Sequence, residues 1–187
     1  NDMADGSNLY LAIDELARAT FSHELLHVAS DVFAYNFADG KRQIGIGVEL
    51  EESREDTGER EIINFWLNEA LIEYACLLAY PDRIVSYTDP TFVFALLDEI
   101  DPSFFPLVLS AAYGNGPKGL TAKHIAEIVE DELTKILGDK ATAQELISYL
   151  NYSCDTDREI DSTLDHDMRV RTMGTLLKTC LKDPKLT

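Results

Sequence analysis

The sequence predicts an α+β protein that is predominantly helical. Apolar residues recur at helical spacing through most of the 187-residue chain, and one stretch, residues 44–50, alternates large apolar side chains with glycine or polar residues as a half-buried strand does. Hydrophobic residues make up 45% of the chain, an ordinary share for a globular protein of this length. We therefore expect a set of helices packed beside one small β-element.

A long helix is predicted first, over residues 9–33, because no proline or glycine interrupts its apolar pattern. The strand at 44–50 follows it. If this strand lies at the edge of a sheet, it is a candidate to pair with an extended peptide, and an ordinary hairpin strand is the alternative.

An acidic stretch separates the strand from a second helix. Residues 49–61 carry seven acidic side chains against Arg54 and Arg60, which predicts a solvated loop. The helix that follows is expected to begin near Glu61 and to be buried, because it is apolar on most sides. Pro81 ends it.

Short helices and a break are predicted in the middle of the chain. Asp89-Pro90 and Asp101-Pro102 each open a short helix. Residues 114–119, with the sequence GNGPKG, form the clearest break in the chain. We therefore predict one domain at 1–119 and a helical C-terminal subdomain, 120–187, packed on it.

The C-terminal part is predicted to hold three helices. Thr121 caps the first, and Gly138 closes it. Thr142 begins a capping box with Glu145 and opens a second helix that ends near Leu150. The third helix is expected over residues 162–181.

Composition restricts the partners and the compartment. The net charge of −18 argues against a nucleic-acid-binding surface, and no stretch approaches 18 consecutive apolar residues, so no transmembrane segment is predicted. The cysteines, Cys76, Cys154 and Cys180, are far apart and odd in number. We expect buried side chains or thiols outside disulfides, which favours a reducing compartment such as the cytoplasm. Because the first residue is Asn, we expect a truncated N-terminus; the oligomeric state is left open.

The residues that indicate chemistry form an H-E-x-x-H motif, His23 to His27, inside the first predicted helix. Positions i and i+4 lie on one face of a helix, so His23 and His27 can offer two imidazole nitrogens to one ion. Zn²⁺ prefers such ligands, with a third protein ligand and a water in catalytic sites. Glu24 would flank one zinc ion and take a proton from its water as the general base. An amphipathic helix with two half-buried histidines is the alternative.

The second predicted helix offers a third ligand. Glu69 and Glu73 lie four positions apart in an otherwise apolar helix, where an unpaired buried carboxylate is costly. Glu69 can complete a set of two histidines and one glutamate, and Glu73 can accept the other ring N–H of a ligand histidine. Two solvated acids on an exposed stripe of the helix are the alternative.

These motifs resemble those of the gluzincin zinc metallopeptidases, of which thermolysin is the familiar member. That family has H-E-x-x-H on one helix and, on another, the pattern that Asn68-Glu69 and Glu73 form here. Residues 66–70 are also similar to the W-L-N-E-G stretch of gluzincin aminopeptidases. The resemblance implies a zincin-like catalytic domain at 1–119 with a reduced sheet. It assigns zinc binding to His23, His27 and Glu69, the general base to Glu24 and the orienting role to Glu73.

The chain also departs from the family pattern. His27 and Glu69 are 42 positions apart, more than in thermolysin or the aminopeptidases, and few residues precede the motif helix, where zincins usually place a sheet. No stretch resembles the G-A-M-E-N segment of the aminopeptidases, so exopeptidase activity has no direct support. The resemblance covers residues 21–75.

Hydrolysis by this route needs a donor for the developing oxyanion. His166 is one candidate, because it follows Asp161 by five positions and has carboxylates nearby, and an exposed histidine on a charged helix start is the alternative. The other candidates are His124, Tyr35, Tyr74, Tyr80, Tyr87 and Tyr113. The sequence does not decide among them.

The leading hypothesis is a zinc-dependent endopeptidase that hydrolyses peptide or protein substrates with a zinc-activated water and Glu24 as general base. The negative charge of the chain would favour basic or neutral substrates over acidic ones. Two alternatives stay open. One is a metal-stabilised binding or effector domain with little or no peptidase turnover, and the other is an acidic, all-helical interaction module in which H-E-x-x-H is accidental.

Overall fold

The computed structural model describes residues 20–30, 32–81, 85–113, 121–154 and 162–181. Within these ranges the chain forms a predominantly helical α+β structure with one small antiparallel sheet, as predicted. Its elements are α1 (20–29), β1 (Val32–Asn36), β2 (Lys41–Ile46), β3 (Glu49–Arg54), β4 (Arg60–Ile63), α2 (Phe65–Ala79), α3 (Thr88–Ile100), α4 (Phe104–Ala112), α5 (Ala122–Leu137), α6 (Lys140–Cys154) and α7 (Ser162–Cys180).

The sheet is a four-stranded meander in the order β1-β2-β3-β4. The prediction of a solvated loop over residues 49–61 is wrong, because this stretch forms β3, a turn and β4. Its charges are compensated across the strands. Arg60 pairs with Glu51 at 2.8 Å, and Lys41 pairs with Glu52 at 3.0 Å. Opposite charges on neighbouring strands favour strand pairing, so a stretch with many acidic residues can form a β-hairpin when basic residues lie opposite them.

The prediction of a single strand over residues 44–50 is also wrong. The chain reverses at Gly47-Val48, and Ile46 pairs with Glu49 across a two-residue turn. Gly47 has a φ of 62°, as the first central residue of a type II′ hairpin turn requires. The apolar alternation continues through the turn because Val48 enters the core. Both β2 and β3 are paired on two sides, so this stretch is not an edge that an extended peptide can join.

The boundaries of the first two helices differ from prediction. Helix α1 ends at residue 29 instead of 33, where Ser30 bonds back to the carbonyl oxygen of Leu26 through its hydroxyl, at 2.9 Å, and β1 takes the β-branched and aromatic residues beyond. Residues 9–19 lie outside the described part. Helix α2 starts at Phe65, not near Glu61, because β4 occupies that segment and Asn64, in the left-handed region, turns the chain.

The later helices follow the prediction closely. Thr121 caps α5 by accepting a hydrogen bond from the His124 amide, and Gly138 closes the helix with a φ of 76°. The prediction of a capping box at Thr142 is wrong. Helix α6 starts at Lys140, and Asp139 accepts the hydrogen bond from the Thr142 amide at 2.7 Å. Helix α6 also continues past Leu150. The break at 114–119 lies outside the described residues.

Helix α2 is the centre of the hydrophobic core. Trp66, Leu67, Ala70 and Leu71 are each at most 1% exposed and pack in one cluster with residues of α3 to α7. This cluster contains residues from both sides of the boundary predicted after position 119; the division into two domains stays a prediction. None of the three cysteines is in a disulfide. No helix in the described ranges is long and apolar enough to cross a membrane.

Candidate metal centre

Helix α1 presents the two motif histidines to the body of the protein. His23 is buried and His27 is half-buried, one turn apart on the same face. Their rings meet edge to face with centroids 4.8 Å apart, and their Nε2 atoms are 3.1 Å apart. The hydroxyl of Tyr113 donates to the Leu26 carbonyl oxygen at 3.3 Å and ties this end of α1 to the end of α4.

Helix α2 carries Glu69, which lies 42 positions after His27 in the chain, to the same point. One oxygen, Oε2 of Glu69, lies 3.2 Å from Nε2 of His23 and 3.4 Å from Nε2 of His27. The sheet occupies the sequence between α1 and α2, which explains the long spacing. Among the described residues this is the one group of His, Cys, Asp or Glu side chains that could hold a metal ion.

The distances fit a small tetrahedral ion. Donors that surround Zn²⁺ at ~2.0–2.1 Å lie ~3.3–3.4 Å from one another. The three measured separations, 3.1 Å, 3.2 Å and 3.4 Å, are close to this value. Two imidazole nitrogens and one carboxylate oxygen are also a donor set that zinc prefers. The residues present therefore fit a zinc ion, with one coordination position left for another ligand.

Glu73 holds His23 in place from behind. It is fully buried, and its Oε2 accepts a hydrogen bond from Nδ1 of His23 at 3.0 Å, while its Oε1 accepts the Ser86 amide. With Nδ1 committed to Glu73, the other ring nitrogen of His23 faces Glu69 and His27. A carboxylate in this position sets the tautomer of a metal-binding histidine and raises its basicity.

The buried charges of the centre favour a cation. Burial lowers the pKa of His23, but the carboxylates of Glu69 and Glu73 outweigh burial and raise this pKa to about 9. Burial raises the pKa of Glu69, yet hydrogen bonds from His23 and His27 lower it to about 2. One proton on His23 balances only one of the two buried carboxylates, whereas a divalent cation balances both. Unbalanced buried charge is costly, so the cluster is better compensated by a metal than by a proton.

A cavity of about 440 Å³ opens beside these donors. Its walls come from α1, from the tip of the β2–β3 hairpin, from α2 and from the residue that precedes α3. The lining residues are His23, Glu24, His27, Val28, Ile46, Glu49, Asn68, Glu69 and Tyr87. Glu24 is exposed and lines the cavity, so its carboxylate can reach a molecule bound there.

Tyr87 is the aromatic donor that the fold places in this cavity. Its ring centroid lies 6.0 Å from that of His23, and its hydroxyl makes no hydrogen bond to another described residue. Burial and the surrounding carboxylates raise the pKa of Tyr87 to about 12, so the phenol keeps its proton at neutral pH. From the sequence, Tyr87 is one of several candidate donors and has no feature that distinguishes it. Only the packing of α3 against α2 brings it to the site.

The other candidate donors are placed elsewhere. His166 is an exposed residue of α7 and is not among the residues that line the cavity. His124 contacts the hydroxyl of Thr121, Tyr74 donates to Asp98, and Tyr80 is 57% exposed. The side chain of Tyr35 lies outside the described part of the structure.

Glu49 is a second feature that the sequence analysis did not find. This half-buried carboxylate lines the cavity from the start of β3. Burial, followed by the nearby charge of Glu69, raises its pKa to about 7. In the sequence this residue is one of seven acids in the stretch 49–61, and only the fold shows that it lines the cavity.

No family model, curated protein or solved structure matches the chain. The function is therefore inferred from the chemistry of the site.

Proposed function

We propose that this protein is a zinc-dependent metallopeptidase that cleaves peptide bonds within a chain. The observation that carries the proposal is the convergence of His23, His27 and Glu69, whose donor atoms have the mutual spacing of zinc ligands, at a cavity that Glu24 also lines. Two imidazole nitrogens among the three donors favour zinc over Mg²⁺ and Ca²⁺, which prefer oxygen ligands.

Zinc held by these three residues would supply a Lewis acid that lowers the pKa of a water and polarises a carbonyl group. Glu24 lies next to His23 in sequence and faces the cavity, so it is the base that removes a proton from the attacking water. The same carboxyl group then returns the proton to the departing amine nitrogen. Glu73 and the Ser86 amide keep His23 oriented throughout.

Tyr87 is the side chain we assign to the developing negative charge on the carbonyl oxygen. It lines the cavity, is close to His23 and has a free phenolic proton at neutral pH. A donor that strengthens its hydrogen bond as charge develops lowers the barrier to the chemical step. This assignment replaces His166, whose position on α7 gives no comparable support.

The gluzincin resemblance adds to this proposal. The motif residues occur on two adjacent helices, with the second glutamate of the N-E-x-x-x-E pattern against a ligand histidine, as the resemblance implies. The chain departs from the family pattern in the position of its sheet, because zincins usually place a sheet before the motif helix. The described sheet falls between α1 and α2 in sequence. A zincin-like fold therefore stays part of the proposal.

The second candidate function is a metal-stabilised binding or effector domain with little turnover. One observation favours it: the hairpin strands next to the cavity are both interior strands, so neither offers a free edge to hold an extended substrate. Peptide hydrolysis separates the two candidates.

The experiment measures metal content and cleavage of a diverse peptide library for the wild-type protein and its Glu69→Ala variant. The proposal expects one zinc ion and chelator-sensitive cleavage for the wild type, and neither for the variant. Stoichiometric zinc without any cleavage would favour the binding domain. Absence of zinc in both proteins would contradict both candidates and favour an accidental motif.

A further inference from the structure

The tip of the β2–β3 hairpin places one acidic and one apolar side chain in the wall of the cavity. Ile46 and Glu49 are cross-strand partners on either side of the two-residue turn. Directly paired residues of an antiparallel ladder project to the same face, and both of these side chains line the cavity. Glu49 is therefore presented beside the metal centre by a hairpin rather than by a mobile loop.

Three contacts hold this hairpin tip. Val48 is 1% exposed within the hydrophobic core, and its carbonyl oxygen accepts a hydrogen bond from Nδ2 of Asn64 at 3.1 Å. Gly47 lies directly on Asn68, so closely that a Cβ atom at position 47 would come within 2.5 Å of Oδ1 of Asn68. The tip is thus fixed to the core and to α2, and the position of Glu49 is fixed with it.

Glu49 forms no ion pair with another residue in the described part of the chain, and the charges of His27 and Arg60 only partly offset its burial. Its neighbours on β3 are paired: Glu51 with Arg60, and Glu52 with Lys41 and Lys123. Glu49 makes no ion pair and no side-chain hydrogen bond with any described residue, and no Lys or Arg lines the cavity. A divalent ion at the metal centre balances Glu69 and Glu73, which leaves the charge of Glu49 unbalanced. The charged form of a half-buried carboxylate without an ion pair is costly, and a cation bound beside it lowers this cost.

A second polar group of the same wall also lacks a partner. Asn68 lines the cavity and is 1% exposed, and its Oδ1 has no hydrogen-bond donor in the described part of the chain. This oxygen has almost no accessible surface and faces Gly47, so Asn68 supports the hairpin tip that carries Glu49, and its Oδ1 is not open to a ligand. The group open to the cavity is the carboxylate of Glu49, and a ligand complementary to it carries N–H donors and positive charge.

We propose that Glu49, with Asn68 behind it, forms a subsite that recognises a positively charged group of the substrate, an ammonium or guanidinium group near the bond to be cleaved. This proposal rests on the proposed peptidase function, because the subsite is assigned to a substrate. Recognition of the charged group is measured as binding and does not require cleavage. The charged group has two sources in a peptide: a Lys or Arg side chain, or a free terminal amine. Ile46 and Val28, both exposed and both in the wall, would contact the apolar part of the same substrate.

Binding of matched peptides to the zinc-loaded Glu24→Gln variant tests this subsite without turnover. Each N-acetylated peptide carries Lys or norleucine at one position, since norleucine keeps the aliphatic chain and lacks the charge. A second norleucine set has a free terminal amine. Titration calorimetry is expected to give about tenfold tighter binding for the Lys peptides or for the free-amine set, whichever source supplies the charge.

The decisive comparison adds Glu49→Gln, Glu49→Asp or Glu55→Gln to the Glu24→Gln background. Glu49→Gln should reduce the preference to about twofold or less. Glu49→Asp, which keeps the charge, should restore most of it, and thermal melting checks that each variant folds. Glu55 is exposed just beyond the far end of β3, so Glu55→Gln removes the same charge without touching the cavity and should keep the preference.

Equal binding of charged and neutral peptides, binding of neither, or a preference that survives Glu49→Gln would overturn the subsite. A preference that Glu49→Gln abolishes would support the subsite even if the wild-type protein cleaved no peptide. In that case the peptidase proposal alone would fail. Cleavage without any charge preference would support the peptidase and overturn the subsite.

Discussion

Nδ1 of His23 donates a hydrogen bond to Glu73 across 3.0 Å, although the two residues are 50 positions apart in the chain. This contact joins α1 to α2 at the candidate metal centre and directs the other nitrogen of His23 to Glu69. Glu73 also accepts the Ser86 amide, so the segment before α3 is tied to the same carboxylate. Orientation of a ligand and attachment of the Tyr87 segment therefore depend on one buried residue.

Replacement of Glu73 by Gln should weaken zinc binding by about 10- to 100-fold, because the amide is a poorer acceptor for the His23 ring N–H. Competition with a chromogenic chelator measures the change. Glu127 is an exposed glutamate of α5, so Glu127→Gln serves as a control that should bind zinc as the wild type does. Wild-type affinity in the Glu73 variant would contradict the orienting role.

The metal-free protein should lose stability as the pH rises from about 6.5 to 9. The pKa of His23 is about 9 in the folded protein against an ordinary value of 6.5, so its contribution is complete below pH 6.5 and is lost as the pH passes through 9. The loss amounts to at most about 3 kcal/mol of unfolding free energy.

Denaturant unfolding of chelator-treated protein at several pH values measures this dependence. The His23→Gln variant is the control, because it has no imidazole at this position and should lack this part of the dependence. If the metal-free wild type and the variant showed parallel stability profiles between pH 6.5 and 9, the charged His23 between Glu69 and Glu73 would be disproved.

Gly47 should tolerate a methyl group less well than Gly40, although both have positive φ, 62° and 79°. A Cβ at Gly40 meets nothing within 4 Å, so Gly40→Ala should cost only the backbone strain, about 1–2 kcal/mol. Gly47→Ala adds a clash with Asn68 at 2.5 Å and should cost about 1–3 kcal/mol more. Urea unfolding of the two variants gives the difference directly. Equal costs would mean that the hairpin tip does not rest on Asn68.

Tyr87→Phe should keep zinc and lower kcat by about 10²–10³-fold with little change in KM, the effect of removing one donor to a developing oxyanion. Steady-state kinetics on a cleaved peptide provide the measurement. Tyr80 is an exposed tyrosine outside the cavity lining, and Tyr80→Phe should leave kcat unchanged. A large loss of kcat in His166→Gln, together with wild-type kcat in Tyr87→Phe, would assign the stabilisation of the oxyanion to His166 instead.

The residues that converge in the candidate metal centre could be predicted from the sequence because each signal is local. His23 and His27 are one helical turn apart, and Glu69 and Glu73 are one turn apart in a helix otherwise rich in apolar residues. The hairpin could not be predicted in the same way. Ile44, Ile46, Val48 and Leu50 alternate without interruption, yet the chain reverses at Gly47-Val48, because Val48 packs in a core formed by distant helices.

Tyr87 and Glu49 show the same limit at the site. Neither belongs to a motif, and each reaches the cavity through long-range packing: Tyr87 through the contact of α3 with α2, and Glu49 through the anchored hairpin tip. The family resemblance gave no guide to either residue, because Tyr87 lies beyond residues 21–75, which the resemblance covers, and Glu49 lies in the segment between His27 and Glu69, which is longer than in the family.

The most direct test of the proposed peptidase compares the zinc-loaded wild type with Glu24→Gln for zinc content and for peptide cleavage in the same preparations. Glu24 lines the cavity without being a ligand, so the variant should bind one zinc ion like the wild type and should lose all measurable cleavage. Glu55→Gln, an exposed charge removal, should retain both zinc and activity. Cleavage by Glu24→Gln at the wild-type rate, or a wild type that binds zinc and cleaves no peptide, would contradict the account.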